Sequence, residues 1–367
     1  MKPDYAARQA RLRAITGADA IAIVPGPNMV YFTGLHFHLS ERPIIGLFTP
    51  DGNLSIIIPQ LEIPKLEARP DLEARAFGWT DKDGYEGAFA DALRELGLQG
   101  KTLAVDGMTM RLTEWLTFQS IDNTLRVKAV EDQLTRIRAR KDPDEIEAMR
   151  QAVHLSEAAL DSLLAWVKPG MTEMEIAAKL SEELTAQGSH GNAFEPLVQT
   201  GPNSALPHGF TSERALGADE FLLIDYGGSV DGYPADITRT FCLGKPSEEM
   251  VKIYDVVLRA NEAARAIAGP GVPMGAVDKA ARDVISEAGY GEYFIHRTGH
   301  GLGLDTHEPI PQIAAGVEDR LEPGMTFTIE PGIYIPGLGG VRIEDNVAVT
   351  DDGLEVLTSY PRRLVMG

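Results

Sequence analysis

Residues 221–242, FLLIDYGGSVDGYPADITRTFC, set an acidic residue directly behind an unbroken apolar run. Phe221 to Ile224 read as a buried strand, with Asp225 near its end. Gly227 and Gly228 follow, Asp231-Gly232 is a turn signal, and residues 233–242 return as a second strand carrying Asp236. Such a hairpin brings Asp225 and Asp236 side by side. Two carboxylates at close range raise each other's pKa, and a cation or a shared proton between them removes that cost. Either Asp alone reads as an ordinary turn or edge carboxylate; the four apolar residues ahead of Asp225 make it less ordinary.

Three further stretches downstream carry the same kind of signal. Residues 296–309, HRTGHGLGLDTHEP, read as a short loop holding His296, His300 and His307 among Gly299, Gly301 and Gly303. These glycines permit close backbone approach and positive φ. Residues 325–330, MTFTIE, read as a strand ending in Glu330, and residues 341–349, VRIEDNVAV, as a strand with Glu344 in its interior. An inward-facing carboxylate there needs a partner. Asp225, Asp236, Glu330 and Glu344 with His300 make a donor set suited to two hard or borderline divalent ions. Mn2+ is the first choice, with Co2+, Fe2+ or Zn2+ as alternatives; a structural zinc site would use cysteine or more histidine. Two such ions nearly neutralise four carboxylates and lower the pKa of a water held between them.

Upstream, Asp142, Pro143 and Glu145 form an N-cap, first-turn proline and capping box for a long amphipathic helix, stopped at Lys168-Pro169-Gly170. Thr172 and Glu175 cap a second helix that ends at Gly188. The same grammar returns in a helix over 248–267 and a shorter one from Met274 to Gly289. Pro169, Gly170, Ile176 and Gly188 match Pro270, Gly271, Val277 and Gly289 at one constant offset. An internal duplication follows: two helix–helix–strand halves sharing one sheet, with ligands drawn from both. The expected division is a smaller α/β domain over 1–132, a helical, charged connector over 133–141 and a catalytic domain over 142–367. In the first domain, strands are expected at 20–24, 43–49, 53–59 and 101–106, with Asp51-Gly52 as a hairpin turn, and helices at 85–96 and 110–120.

The 367 residues carry a net charge of −20, which argues against sequence-independent nucleic-acid binding. No run of about 18 apolar residues suggests a membrane span. The opening residues, MKPDYAARQARLRAI, are charged throughout and do not read as a signal peptide. The lone Cys242 excludes an intrachain disulfide, which fits a cytoplasmic location.

Asp225, DITRTF at 236–241, GHGLG at 299–303, THE at 306–308, IEPG at 329–332 and RIED at 342–345 together resemble the dinuclear metallopeptidase family with the pita-bread fold, in its prolidase and Xaa-Pro aminopeptidase branch. The resemblance implies an α+β fold, a pita-bread C-terminal domain behind a smaller α/β N-terminal domain. It also implies hydrolysis of the bond before proline and a homodimer. It makes Asp225 terminal on one metal, Asp236 and Glu344 bridging, and His300 and Glu330 ligands of the second metal. Glu330 would also take the water's proton. His208, in NSALPHG, and His307 would face the substrate, His296 would line the proline pocket, and Arg342 would fix the carboxylates from behind. Arg342 and the N-terminal domain favour the proline branch over methionine aminopeptidases. A dipeptidase must also hold a free carboxylate, for which Arg297 and the loop HFHLSER, with His38 and Arg42, are candidates. The expected substrates are Xaa-Pro dipeptides. The alternatives are an aminopeptidase acting on longer peptides and a same-fold enzyme for a small non-peptide substrate.

Overall fold

The computed structural model describes residues 3–50 and 52–365. The chain divides into two compact units, Met1–Arg138 and Ala139–Gly367.

The first unit runs α1 (Tyr5–Arg13), β1 (Ala20–Ile23), α2 (Pro27–Thr33), β2 (Ile45–Phe48), β3 (Ser55–Pro59), α3 (Ile63–Glu67), β4 (Arg75–Trp79), α4 (Glu86–Glu95), β5 (Thr102–Val105), α5 (Leu112–Ile121), β6 (Arg126–Ala129) and α6 (Glu131–Ala139), the last ending at the boundary. The six strands form one sheet in the order β4-β3-β2-β1-β5-β6. Ile45, Leu47 and Ile57 pack with Phe89 and Phe118 in its core. The β2–β3 pair is the expected antiparallel hairpin, although Asp51 of its turn lies outside the described residues. Strands β4 and β6 escape a reading by apolar runs because most of their residues are polar or solvent-facing. The basic stretch read as a connector is helical through Ala139.

The second unit begins with α7 (Pro143–Trp166) and α8 (Glu173–Ala186). Then come β7 (Leu197–Thr200), β8 (Phe221–Tyr226), β9 (Ser229–Val230), β10 (Tyr233–Pro234) and β11 (Ile237–Cys242). Helices α9 (Glu248–Ile267) and α10 (Met274–Glu287) precede β12 (Gly299–Gly301), β13 (Glu308–Ile313), β14 (Thr326–Ile329), β15 (Gly332–Ile335), β16 (Gly339–Arg342), β17 (Asp345–Val349) and β18 (Leu354–Val356). Helices α7 and α8 bury Met149, Val153, Leu160 and Leu180 against Val198, Leu222, Ile224 and Ile237. Helices α9 and α10 bury Ile253, Val257, Val277 and Ile285 against Phe327, Ile329 and Val347.

The two helix pairs repeat down to single hydrogen bonds. Gly170 N–H donates to Leu216 O at 2.7 Å, and Gly271 N–H to Leu321 O at 2.8 Å. Leu216 N–H returns to Met171 O at 2.8 Å, and Leu321 N–H to Val272 O at 2.9 Å. Glu173 N–H reaches Arg214 O, and Met274 N–H reaches Asp319 O. Gly170 and Gly271 have φ +92° and +82°, Gly188 and Gly289 +94° and +87°, so the matched glycines stand where the backbone is left-handed.

The halves do not share one continuous sheet. Strands β11-β8-β7 form one sheet, β13-β12-β14-β17-β18 another, and β15-β16 a separate pair. Along the seam side chains replace ladder bonds. Thr240 Oγ1 accepts from Arg342 N–H and donates to Arg342 O, both at 3.1 Å, and Asn346 holds both the N–H and the C=O of Asp236. The strand expected over 233–242 is broken at Ala235 and Asp236, and that over 341–349 is broken at Ile343 and Glu344. Glu344 is therefore not in a strand interior. The stretch expected as a loop contains strand β12, and Gly299, Gly301 and Gly303 are absent from the positive-φ set. Close approach explains them: a Cβ on Gly299 would lie 1.8 Å from Thr328 O, and one on Gly301 2.5 Å from Ile310 O.

Candidate functional site

Asp225 is the penultimate residue of β8 and pairs across the hairpin with Thr238. Asp236 stands two residues before Thr238, diagonally opposite Asp225 on the same face. His300 is at the centre of β12, Glu330 directly follows β14, and Glu344 occupies the break between β16 and β17. Strand ends and breaks release these carboxylates from the regular alternation, so they converge from several strands.

Ligand atoms of Asp225, Asp236 and Glu344 lie within 4.8 Å of one another, and so do those of His300, Glu330 and Glu344. Glu344 is common to both groups. A third group joins Asp236, His300 and His307. Nε2 of His300 is 3.2 Å from Glu330 Oε1 and 3.6 Å from Asp236 Oδ2. Its Nδ1 faces Gly301 O at 3.1 Å, which assigns the ring proton to Nδ1 and leaves the Nε2 lone pair facing carboxylate oxygens. Acceptors facing acceptors need a proton or a cation between them.

The electrostatics agree. Burial, with Glu344, Asp225 and Glu330 nearby, pushes the Asp236 carboxyl well above its usual range. Burial with Glu330 and Asp225 does the same to Glu344. Burial raises Glu330 to about 7 and lowers His300 to about 3. Asp225 Oδ1 is buried without a hydrogen-bond partner among the described residues. An orphaned oxygen, an unprotonated imidazole nitrogen and crowded carboxylates fit divalent cations held by oxygen and nitrogen donors.

Arg342 supports the cluster from below. Its Nη2 donates to Asp225 Oδ2, its Nε to Thr238 Oγ1 at 2.9 Å and its Nη1 to Tyr334 Oη at 3.1 Å. Thr238 Oγ1 in turn donates to Glu344 Oε2 at 2.5 Å. His296 Nε2 meets Tyr334 Oη at 2.8 Å and its Nδ1 meets Arg297 O at 2.7 Å, so both ring nitrogens are engaged. Burial lowers its pKa to about 4.

A cavity of about 1140 Å³ opens over the five residues, lined also by His208, His296, Arg297, His307 and Arg342. The His307 ring lies 3.9 Å from that of His300, and burial lowers its pKa. The Arg297 guanidinium makes no hydrogen bond or ion pair among the described residues, whereas that of Arg342 is fully engaged. Met174, Ala177 and Ala178 of α8 line the same cavity with Phe194 and Phe210. His38 and Arg42 are not among its lining residues: they belong to the first unit, and Arg42 is tied to Asp81 at 2.8 Å and Glu41 at 2.7 Å.

Sequence reasoning missed Tyr334, Thr238 and Asn346, as well as a buried ion pair between Lys141 and Glu308 at 2.6 Å. Thr238 and Asn346 stand two residues beyond Asp236 and Glu344, a period-2 signal that could have found them. Lys141 closes a basic run that resembles a solvated surface, and Tyr334 carries no signal of its own.

Comparison with known proteins agrees with this geometry. Residues 147–351 match the model of metallopeptidase family M24, and residues 8–140 match the creatinase/prolidase N-terminal domain. The chain is similar to a recombinant prolidase from Thermococcus sibiricus, with 36% identity, a TM-score of 0.94 and 100% of each chain covered. It is similar to an X-Pro aminopeptidase from Thermotoga maritima, with 33% identity, a TM-score of 0.85 and coverage of 98% and 100%. An uncharacterized peptidase of Staphylococcus aureus is 35% identical over 347 residues, 94% of this chain and 96% of that protein. With both domain models matched in order and acidic and histidine side chains clustered to suit metal, the chain belongs to metallopeptidase family M24 and carries that family's prolidase-type N-terminal domain.

Proposed function

We propose that the protein hydrolyses the peptide bond before proline, acting on Xaa-Pro dipeptides. The observation that carries the dipeptide reading is Arg297, an uncommitted guanidinium on the wall of the cavity that holds the cluster. A dipeptide presents a free carboxylate directly after proline, and a planar guanidinium suits it.

In this reading Asp225, Asp236, His300, Glu330 and Glu344 hold two divalent ions, with Mn2+ the proposed metal because oxygen donors dominate. When bound, the ions lower the pKa of a water and polarise the scissile carbonyl. Glu330 takes the proton as the water oxygen bonds to the carbonyl carbon, and delivers it to the proline nitrogen as the C–N bond breaks. His307 is kept neutral by burial and offers an N–H to the carbonyl oxygen. His208 lines the same space as a further donor. His296 has no free ring nitrogen and presents its ring as a wall for proline, while Arg342 holds Asp225 and, through Thr238, Glu344. A cytoplasmic homodimer completes the proposal.

The cavity volume, larger than a dipeptide needs, favours a second reading, an Xaa-Pro aminopeptidase. Kinetics with Mn2+ on Leu-Pro, Leu-Pro-amide and Leu-Pro-Ala separate the two. The dipeptidase reading predicts efficient cleavage of Leu-Pro. It also predicts that Arg297→Gln raises KM for Leu-Pro by roughly 10- to 100-fold, the worth of a lost charge-assisted hydrogen bond. Cleavage of Leu-Pro-Ala with Leu-Pro inert would move the protein to the aminopeptidase class, and no cleavage of any would point to a non-peptide substrate.

A further inference from the structure

The cluster's two glutamates, Glu330 and Glu344, each follow an isoleucine whose carbonyl a regular strand would pair. Strand β14 stops at Ile329, and Ile343 lies in the break between β16 and β17. Both carbonyls turn to one side chain on a different element. Asn261, buried in α9, donates through Nδ2 to Ile329 O at 3.1 Å and to Ile343 O at 3.3 Å. Its amide cannot flip, because Oδ1 accepts from Arg265 Nε at 2.7 Å. Arg265 is itself held near Asp345, its Nε 3.6 Å from Oδ2.

The other backbone groups at these glutamates are also tied. Glu330 N–H donates to Thr298 O at 2.8 Å, and Glu344 N–H to Thr238 O at 3.1 Å. Arg239 Nη1 donates to Glu344 O at 2.6 Å. These bonds fix each glutamate to a different neighbour. Ladder pairs Ile329–Asp345 and Gly332–Arg342, with Ile343 N–H on Pro331 O at 3.4 Å, hold the two strands on either side of the glutamates, and across the gap between those pairs the Asn261 amide bridges the Ile329 and Ile343 carbonyls.

We propose that Asn261, oriented by Arg265, is a positioning residue that sets the spacing of Glu330 and Glu344 and thereby the affinity for divalent ions. The inference rests on the metal-site reading above. Groups that orient ligands from behind typically change metal affinity by 10- to 100-fold when removed. Asn261→Leu keeps the branched shape, at a somewhat larger volume, and deletes both donors. Arg265→Leu leaves the amide and removes what orients it.

The test is calorimetric titration of the metal-stripped full-length protein with Mn2+, beside circular dichroism and thermal melting. For a folded Asn261→Leu protein the expected result is at least one binding step weakened tenfold or more, with Arg265→Leu showing a smaller loss of the same step. A merely structural role would lower the melting temperature and leave the affinities unchanged, and that result would overturn the proposal. If Asn261→Leu does not fold, Arg265→Leu decides alone: weakened Mn2+ binding supports the clamp, and wild-type affinity overturns it. Failure of the wild-type protein to bind Mn2+ would instead sink the metal-site reading on which the clamp depends.

Discussion

His296 is a half-buried histidine whose protonation is set chiefly by desolvation. Burial holds it neutral to about pH 4, outweighing the Nδ1–H bond to Arg297 O, which favours the charged ring, while Nε2 accepts from Tyr334. In the unfolded chain it titrates near pH 6.5. Between those values the unfolded chain takes up a proton that the fold refuses, so stability is lost as pH falls from about 6.5 to about 4, by up to roughly 3 kcal/mol. His296→Phe keeps a ring and removes the titration. Urea unfolding at pH 7 and pH 4.5 should show a shallower loss in the variant, and equal losses in both proteins would contradict the assignment. Individual site residues were legible where chemistry left a mark in the chain. Asp225 follows four apolar residues, His300 sits between glycines, and Glu330 precedes Pro331-Gly332. Tyr334 was illegible because a tyrosine in an apolar strand reads as core, and only the fold brings its hydroxyl between Arg342 and His296. Lys141 was illegible because nothing nearby in sequence announces Glu308.

At the scale of elements, helices were read more accurately than strands. The capping boxes at Asp142 and Thr172 and the left-handed glycines at 170, 188, 271 and 289 are local events, so the chain announces them. The strand breaks at Asp236 and Glu344 depend on bonds from Asn346, Thr238 and Arg239, which arrive from other strands and cannot be counted along one segment. Helix α8 makes a distinct prediction. Its Met174, Ala177 and Ala178 line the cavity with Phe194 and Phe210, an apolar surface that suits the side chain ahead of proline in the proposed substrate. Burying a leucine there contributes about 1.5–3 kcal/mol, so kcat/KM for Leu-Pro should exceed that for Gly-Pro by roughly 10- to 100-fold. Ala178 is exposed on the helix, so Ala178→Phe fills the space without disturbing the core. The variant should lose most of that preference while Gly-Pro hydrolysis changes little. An unchanged Leu-Pro to Gly-Pro ratio would remove α8 from substrate recognition.

For the molecule as a whole, the duplication explains why one site draws on so much of the chain. Asp225 and Asp236 come from the half built on α7 and α8, and His300, Glu330 and Glu344 from the half built on α9 and α10. Neither half alone carries both groups of ligands. The net charge of −20 includes these inward-facing carboxylates, whose crowding is costly unless cations balance it. No helix among the described residues is long and apolar enough to cross a membrane. The duplication was visible in spacing, but its split into separate sheets was not, because side chains and a backbone bond from Glu344 to Thr238, rather than a continuous ladder, join the halves. The most direct measurement is metal stoichiometry: elemental analysis after reconstitution with Mn2+ and removal of unbound ion, run beside Leu-Pro hydrolysis. Two ions per wild-type chain are expected, with Asp236→Asn and Glu344→Gln each losing at least one ion and most of the activity. A wild-type chain that binds none, or variants that keep both ions and full activity, would contradict the two-metal reading.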